Sequence, residues 1–244
     1  MMKRVLLTLI AAVMLTSSVW AKTIVVAQDA TWPPMEFMND QKEIIGFDTD
    51  YVRAVAKEAG FDVVFKNVAW DGIFAGLDAG QYDAVCSSVT ITEERKNAMD
   101  FGIPYFKVRQ ALVVPKESTA KTLEEMKGKT VGAQIGTTGY FAIKKIEGVT
   151  AKSYDEIGLA MEDLFSNRID GVVCDDPVAA QYALQKAEYA AKLKIAAVLD
   201  TGDEYYGIAV KKGNKEVLDL INKGIAAVQA KGIDKELRAK WMGQ

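Results

Sequence analysis

The chain has 244 residues, half of them hydrophobic and about a quarter charged, with a formal net charge of −3. This balance is that of a globular protein with one large domain or two small ones, and it lacks the excess of lysine and arginine that a nucleic-acid partner requires. The sequence contains no histidine, which removes the commonest general base and most transition-metal sites, so neither a cofactor nor a metal is expected.

The N-terminal segment has the three parts of a secretory signal peptide. Lys3 and Arg4 give it a positive start, Val5–Leu15 is a mostly apolar run, and Ala21 ends it with the small residue that a signal peptidase accepts. The apolar run is short for a bilayer span, which disfavours the alternative of a retained anchor. No cysteine follows for lipid attachment. We therefore predict that residues 1–21 are cleaved and that the mature chain is an unlipidated monomer in a Gram-negative periplasm.

Strands and helices alternate in the first half of the mature chain. Runs rich in β-branched residues predict strands, and amphipathic runs predict helices. The strands are predicted at Thr23–Ala27, Asp62–Lys66 and Asp83–Cys86, and the helices at Asp48–Ala59, Asp71–Asp78 and Glu93–Met99. Asp71 and Thr92 are the predicted N-caps of the second and third helices. This alternation predicts an α/β unit with a mainly parallel sheet.

A second α/β series follows without a Gly/Ser-rich linker. An extended run at Gln110–Pro115 leads into it. The predicted strands are Thr130–Ala133, Val149–Lys152, Gly171–Cys174 and Tyr206–Val210, and the predicted helices are Gly139–Ile146, Asp155–Phe165, Pro177–Lys186, Asn214–Ala230 and Ile233–Met242. Ligands of open α/β sheets bind beyond the carboxyl ends of the strands, so the turns that follow these strands are the candidate site.

The turns after three of the strands carry a set of groups that suits the head group of an α-amino acid. Arg95 can hold an α-carboxylate through two charge-assisted hydrogen bonds, together with backbone N–H groups near Thr138. Asp175 can pair with an α-ammonium group, and Ser88 and Thr90 can accept its remaining protons.

Each of these residues also has a plain structural alternative. Arg95 could be a surface charge on an amphipathic helix, and Asp175 could be the N-cap before Pro177. The two cysteines, Cys86 and Cys174, end apolar runs, which favours buried free thiols, although a disulfide between them stays open.

Six ordered motifs make the chain similar to a known family. It resembles the polar and basic amino acid-binding proteins of bacterial ABC importers, the family-3 solute-binding proteins. The resemblance extends over nearly the whole mature chain and is carried by Asp29–Phe37, Gly46–Asp50, Trp70–Ile73, Ser87–Arg95, Val131–Thr138 and Asp175–Pro177.

The resemblance implies a two-lobed periplasmic-binding-protein fold of type II, in which each lobe is a mainly parallel sheet flanked by helices and a two-strand hinge joins the lobes. Lobe 1 would comprise residues 22–105 and 207–244, lobe 2 residues 110–201, and the hinge would lie near 105–109 and 202–206. Hinge closure would capture a polar or basic L-amino acid and present it to the permease of an ABC importer in the inner membrane.

The resemblance also implies which residues bind the ligand. By resemblance, five residues would hold the ligand's head group: Ser88, Thr90, Arg95, Thr138 and Asp175. Two tryptophans, Trp32 and Trp70, would flank the ligand's side chain, although core packing is their alternative role. Asp29, Ser87 and Gln134 would read the end of that side chain. The alternative function is an enzyme on the same fold, a carboxylic-acid dehydratase of the cyclohexadienyl or prephenate type.

Overall fold

The computed structural model describes residues 22–243, so the predicted signal peptide at residues 1–21 lies outside them. No helix in this part of the chain is long and apolar enough to cross a bilayer. The strands are β1 Thr23–Gln28, β2 Thr31–Trp32, β3 Glu36–Met38, β4 Ile44–Ile45, β5 Asp62–Asn67, β6 Ala84–Val85, β7 Met99–Phe101, β8 Phe106–Val108, β9 Gln110–Pro115, β10 Thr130–Gln134, β11 Thr150–Tyr154, β12 Gly171–Asp175, β13 Leu193–Val198, β14 Glu204–Tyr206 and β15 Ala209–Lys211. The helices are α1 Phe47–Ala59, α2 Ile73–Asp78, α3 Glu93–Ala98, α4 Thr138–Lys144, α5 Ile157–Phe165, α6 Asp176–Ala180, α7 Ala187–Lys192, α8 Lys215–Ala230 and α9 Ile233–Met242.

Two five-stranded sheets share one topology. The first has the order β5-β1-β6-β15-β7 and the second the order β11-β10-β12-β9-β13. In each sheet the first three strands are parallel, the fourth runs antiparallel to them, and the fifth pairs antiparallel with the fourth. The carboxyl ends of β1, β6, β10 and β12 carry the polar turns singled out in the sequence. The molecule is therefore a two-lobed α/β protein of the predicted class.

A two-stranded ribbon connects the regions that contain the two sheets. Strand β8 pairs antiparallel with β14, and the Phe106 and Tyr206 rings stack with their centroids 5.5 Å apart. Behind the ribbon, Phe47 and Tyr51 of α1 stack with Tyr105, the last two at 4.7 Å. These rings are almost fully buried and belong to a hydrophobic cluster that extends into both sheets, so the segment that links the sheets is packed against the core on either side.

Several helix boundaries differ from the predictions for local reasons. Helix α2 begins at Ile73 rather than Asp71, because Gly72 takes the N-cap position with a φ of 103°, a conformation that suits glycine. The predicted N-cap Thr92 is confirmed, since its side chain accepts from the backbone N–H of Arg95. The predicted helix Pro177–Lys186 is wrong as a single α-helix: α6 ends at Ala180 and a π-helical turn, Gln181–Gln185, continues it.

The predicted strand Tyr206–Val210 is also wrong as a single element. Strand β14 ends at Tyr206 in the ribbon, and β15 starts at Ala209 in the first sheet. Gly207 lies at the break, where an added Cβ would come within 2.8 Å of the Ile91 side chain. Because glycine has no side chain, the backbone can pass close to Ile91 at this point and turn from the ribbon into the first sheet. The prediction also omitted β13 and α7, which follow the π-helical turn.

Candidate functional site

One cavity lies between the carboxyl ends of the two sheets, and all ten residues predicted to bind ligand line it. Glu36 and Thr137 complete its wall. The full lining is Asp29, Trp32, Glu36, Trp70, Ser87, Ser88, Thr90, Arg95, Gln134, Thr137, Thr138 and Asp175. Its volume is about 20 Å³, room for about one water molecule, so an amino acid needs the walls to move apart.

Arg95 reaches from α3 across the cleft and is not a free surface charge. Its guanidinium donates to the carbonyl oxygen of Thr90 at 2.8 Å and to that of Gly136 at 3.1 Å. It also lies over the Trp70 and Phe74 rings, 5.4 and 5.2 Å from their centroids. Burial lowers the pKa of Arg95 to about 10, so the guanidinium stays charged at neutral pH. The carbonyl and aromatic contacts hold it at a place where an anion can replace a carbonyl partner.

Asp175 occupies the N-cap position of α6, but its side chain does not cap the helix. Its carboxylate instead accepts from the Gln110 amide at 2.6 Å and from the Tyr206 hydroxyl at 2.5 Å. Asp175 is 6% exposed, and burial raises its pKa to about 7 although both hydrogen bonds oppose the rise. A buried carboxyl group with this pKa is well suited to receive an ammonium group.

Asp29 and Gln134 meet across the cleft. The Gln134 amide donates to the Asp29 carboxylate at 2.8 Å and to the Asp155 carbonyl at 2.7 Å. Burial raises the pKa of Asp29, and the bonds from Gln134 and Thr31 hold it back. A cation that entered here would compete with the Gln134 amide for the Asp29 carboxylate.

The two tryptophans are both cavity walls and core residues. Trp32 and Trp70 are 6% and 8% exposed and belong to different hydrophobic clusters.

On the opposite side of the cavity, α4 begins at Thr138, and Thr137 caps it by accepting from the N–H of Tyr140. A groove of about 1210 Å³ adjoins the cavity beyond Arg95 and Thr138, which line both spaces.

The sequence analysis did not include Glu36 in the site. Glu36 is fully buried, and its carboxyl group accepts from the Ser87 hydroxyl at 2.8 Å. Ser88 has a φ of 47°, and its backbone N–H donates to Asp48 at 2.7 Å. Glu36 comes from β3, in a hairpin that has no strand-to-helix turn, so the rule that selected the other residues could not find it.

Gln110 and Glu204 are further neighbours of the site that the sequence did not reveal. The Gln110 amide nitrogen lies 2.6 Å from Asp175, 3.0 Å from Thr138 and 3.1 Å from Glu204, so its two protons are shared among three acceptors. The Thr138 hydroxyl donates to the same Glu204 oxygen at 3.1 Å. Gln110 fills the space beside Gly139, where a Cβ would lie 2.7 Å from its Oε1.

Both cysteines are buried and unpaired, Cys86 in the first half and Cys174 at the end of β12. The prediction of buried free thiols is therefore confirmed. Within residues 22–243, no group of three or more Asp, Glu, Cys or His side chains is arranged to hold a metal ion.

Two α/β sheets of the same topology, linked by a ribbon and facing each other across a polar cavity, define a two-lobed binding protein. The family model for bacterial extracellular solute-binding proteins, family 3, matches residues 24–244. The chain belongs to this family, as the motifs predicted.

Similar proteins cover nearly the whole chain. The ABC transporter arginine-binding protein 1 of Escherichia coli (strain K12) is 34% identical over 249 residues, which cover 100% of each chain. A probable histidine-binding protein of Neisseria gonorrhoeae is 33% identical and covers 90% of this chain and 82% of its own. A solved structure of an ancestral arginine-binding protein bound to glutamine is 41% identical, with a TM-score of 0.85 and coverage of 91% and 98%.

Proposed function

We propose that this protein binds a free polar or basic L-amino acid in the periplasm and delivers it to the permease of an ABC importer. The observation that carries the proposal is the convergence of Arg95 and Asp175 on one cavity. They follow strands of different sheets, and each is held by neutral groups that a ligand can replace. A guanidinium for a carboxylate and a carboxylate for an ammonium are the complements of a zwitterion.

The charge balance of the cavity favours a ligand with a cationic side chain. Arg95 is the one cation in the lining, whereas Asp29, Glu36 and Asp175 are acidic. An α-carboxylate would pair with Arg95 and an α-ammonium with Asp175, which leaves Asp29 for a further positive group. The relatives named as arginine- and histidine-binding proteins support arginine or histidine as the ligand. The ancestral arginine-binding protein bound to glutamine supports a ligand with a neutral amide as a second possibility.

Ligand capture would proceed by closure about the ribbon of β8 and β14. We propose residues 22–105 with 207–244 as lobe 1, residues 110–201 as lobe 2 and the crossings at 105–109 and 202–206 as the hinge. The bonds Arg95–Gly136 and Gln134–Asp29 would then join the lobes in the closed state. Closure should change the fluorescence of Trp32 and Trp70, and tryptophan emission that does not respond to bound ligand would count against this motion.

A thermal-shift screen against the twenty amino acids and ornithine tests the binding function, because a ligand that binds only the folded chain raises the melting temperature. The best ligand is then measured by calorimetry on Arg95→Ala and on a matched control, Arg53→Ala, whose side chain is half exposed on α1. We expect Arg95→Ala to cost about 2–5 kcal/mol, since the ligand carboxylate loses its partner, and Arg53→Ala to bind normally. No shift with any amino acid would refute the function.

We propose binding without turnover. A dehydratase needs a general acid in the cavity, and the buried Glu36 is the group that such an enzyme would use. It would have no need of an ammonium partner, so the presence of Asp175 favours binding. Incubation with prephenate should yield no product, and turnover that is lost in Glu36→Gln would reverse this proposal.

A further inference from the structure

Glu36, in the wall of the cavity, and Asp48 form a buried pair of carboxyl groups. Both residues are 0% exposed. The Ser88 hydroxyl lies 3.2 Å from Asp48 Oδ2 and 3.4 Å from Glu36 Oε2, so the two carboxyl groups, on β3 and in the first turn of α1, meet at one side chain. Within residues 22–243 neither of them forms an ion pair with lysine or arginine. Two adjacent buried charges without a cation are strongly unfavourable, so the pair holds a proton.

The hydrogen bonds around the pair converge on one oxygen of Asp48. Asp48 Oδ2 already accepts from the Ser88 N–H, the Ser88 hydroxyl and the Tyr105 hydroxyl, at 2.7, 3.2 and 2.8 Å. Asp48 Oδ1 is buried and receives no donor among residues 22–243. Burial and the neighbouring Asp48 raise the pKa of Glu36 well above its usual value, and burial raises that of Asp48 to about 6.

The other titratable groups around the pair do not remove its proton. Asp29 adds a further negative charge beside Glu36. Cys86, Tyr105 and Tyr206 are buried neighbours whose pKa values burial raises well above the usual range, so all three are neutral at pH 7.

The pair fixes the direction of two hydroxyl groups in the cavity wall. Ser87 has one hydroxyl proton and donates it to Glu36 Oε1 at 2.8 Å. Ser88 gives its proton to Asp48 Oδ2, with Glu36 Oε2 3.4 Å away. Neither proton is then free for a ligand, and each serine oxygen faces the cavity as an acceptor. The Ser87 oxygen also accepts from the N–H of Asp29 at 2.9 Å, which fixes its position further.

We propose that Glu36 is a positioning residue for ligand selection: it takes the hydroxyl proton of Ser87, as Asp48 takes that of Ser88, and so leaves Ser87 as an acceptor that selects a ligand side-chain end rich in hydrogen-bond donors, while Ser88 stays an acceptor for the α-ammonium group. A guanidinium has only donors, whereas a ureido group of the same shape replaces one donor site with a carbonyl oxygen. That oxygen would face a serine lone pair and the Asp29 carboxylate. The inference rests on the proposed function, since it concerns the selectivity of the same cavity.

Arginine and citrulline are the probes, because they have the same shape and differ by this one replacement, which also removes the positive charge; that change of ligand charge is the same for every variant compared. Calorimetry gives the ratio of their dissociation constants for the wild type, Glu36→Leu, Glu36→Gln and the control Glu117→Gln, which changes an exposed glutamate after β9. Glu36→Leu removes the acceptor, so Ser87 can turn its proton to the cavity and the preference for arginine should fall roughly tenfold. Glu36→Gln keeps an acceptor for Ser87 and a donor for Asp48. Its preference for arginine over citrulline should therefore stay within about twofold of that of the wild type and of Glu117→Gln.

A merely structural role for Glu36 would change both dissociation constants together and leave their ratio unaltered, and that result would overturn the inference. The effect should also disappear in a Ser87→Ala background, because Glu36 acts through Ser87. If Glu36→Leu does not fold, Ser87→Ala alone decides: the ratio should fall, and an unchanged ratio contradicts the inference. If the wild type does not prefer arginine to citrulline, the inference fails, whereas a thermal shift with any amino acid still supports the proposed function.

Discussion

The pKa of Asp175 makes a quantitative prediction about the pH dependence of binding. Its carboxyl group is ionised when it pairs with an ammonium group, but in the unliganded protein burial raises its pKa to about 7. Below pH 7, therefore, binding has to release a proton. At pH 5, two units below the pKa, about 1% of the unliganded molecules carry the ionised group. Affinity should fall about 100-fold from pH 8 to pH 5, which corresponds to about 2.7 kcal/mol.

The assay is calorimetry with the best amino acid ligand from pH 5 to pH 8, on the wild type and on Asp175→Asn. The variant has no carboxyl group to titrate at this position, so it should bind weakly at pH 8 and lose most of the pH dependence. The exposed Asp40→Asn should retain both the affinity and the slope. Asp29 and the Glu36–Asp48 pair also have raised pKa values, and the difference between wild type and Asp175→Asn removes their contribution. An equal slope in the two proteins would refute the reasoning.

Three further predictions follow from the same contacts. A folded-state pKa above the unfolded value stabilises the chain below about pH 4, and this stabilisation is lost as the pH rises through about 7. Asp175→Asn should therefore be about as stable as the wild type at pH 4 and more stable at pH 8, by up to about 4 kcal/mol, and a difference in melting temperature that does not grow between these pH values contradicts the assignment. Gln134→Ala removes the amide that competes for Asp29, so the ratio of arginine to glutamine affinity should rise about fivefold by calorimetry, and a falling ratio would show that Gln134 favours the cation instead. Gly207→Ala places a Cβ 2.8 Å from Ile91 and should cost about 1–3 kcal/mol in urea unfolding, whereas Gly80→Ala meets no neighbour and tests only the strain of its φ of 71°.

The sequence identified the parts of the molecule that depend on local patterns. Hydrophobic periodicity located the central strands, the turns that follow them predicted the five head-group residues, and the family resemblance added the other five; all ten line one cavity. Their contacts with a ligand stay a prediction. The division at Gly207 was missed because it depends on the close approach to Ile91, which is distant in sequence, and the π-helical turn after Ala180 was missed as well.

The partners of the site could not be read from the sequence for a related reason. Gln110 lies 65 positions from Asp175, and Glu36 lies 51 positions from Ser87. A buried polar group is selected by what it bonds in space, and a single sequence contains no record of that pairing. Glu36 in particular sits between hydrophobic neighbours in a short strand, where its charge gives no periodic signal.

A crystal structure of the protein with its amino acid ligand tests the central claim most directly. We expect the α-carboxylate within hydrogen-bonding distance of the Arg95 guanidinium, in place of a carbonyl partner, and the α-ammonium within the same distance of Asp175. A ligand bound in the outer groove, or in the cavity with its two charges away from these side chains, would contradict the account.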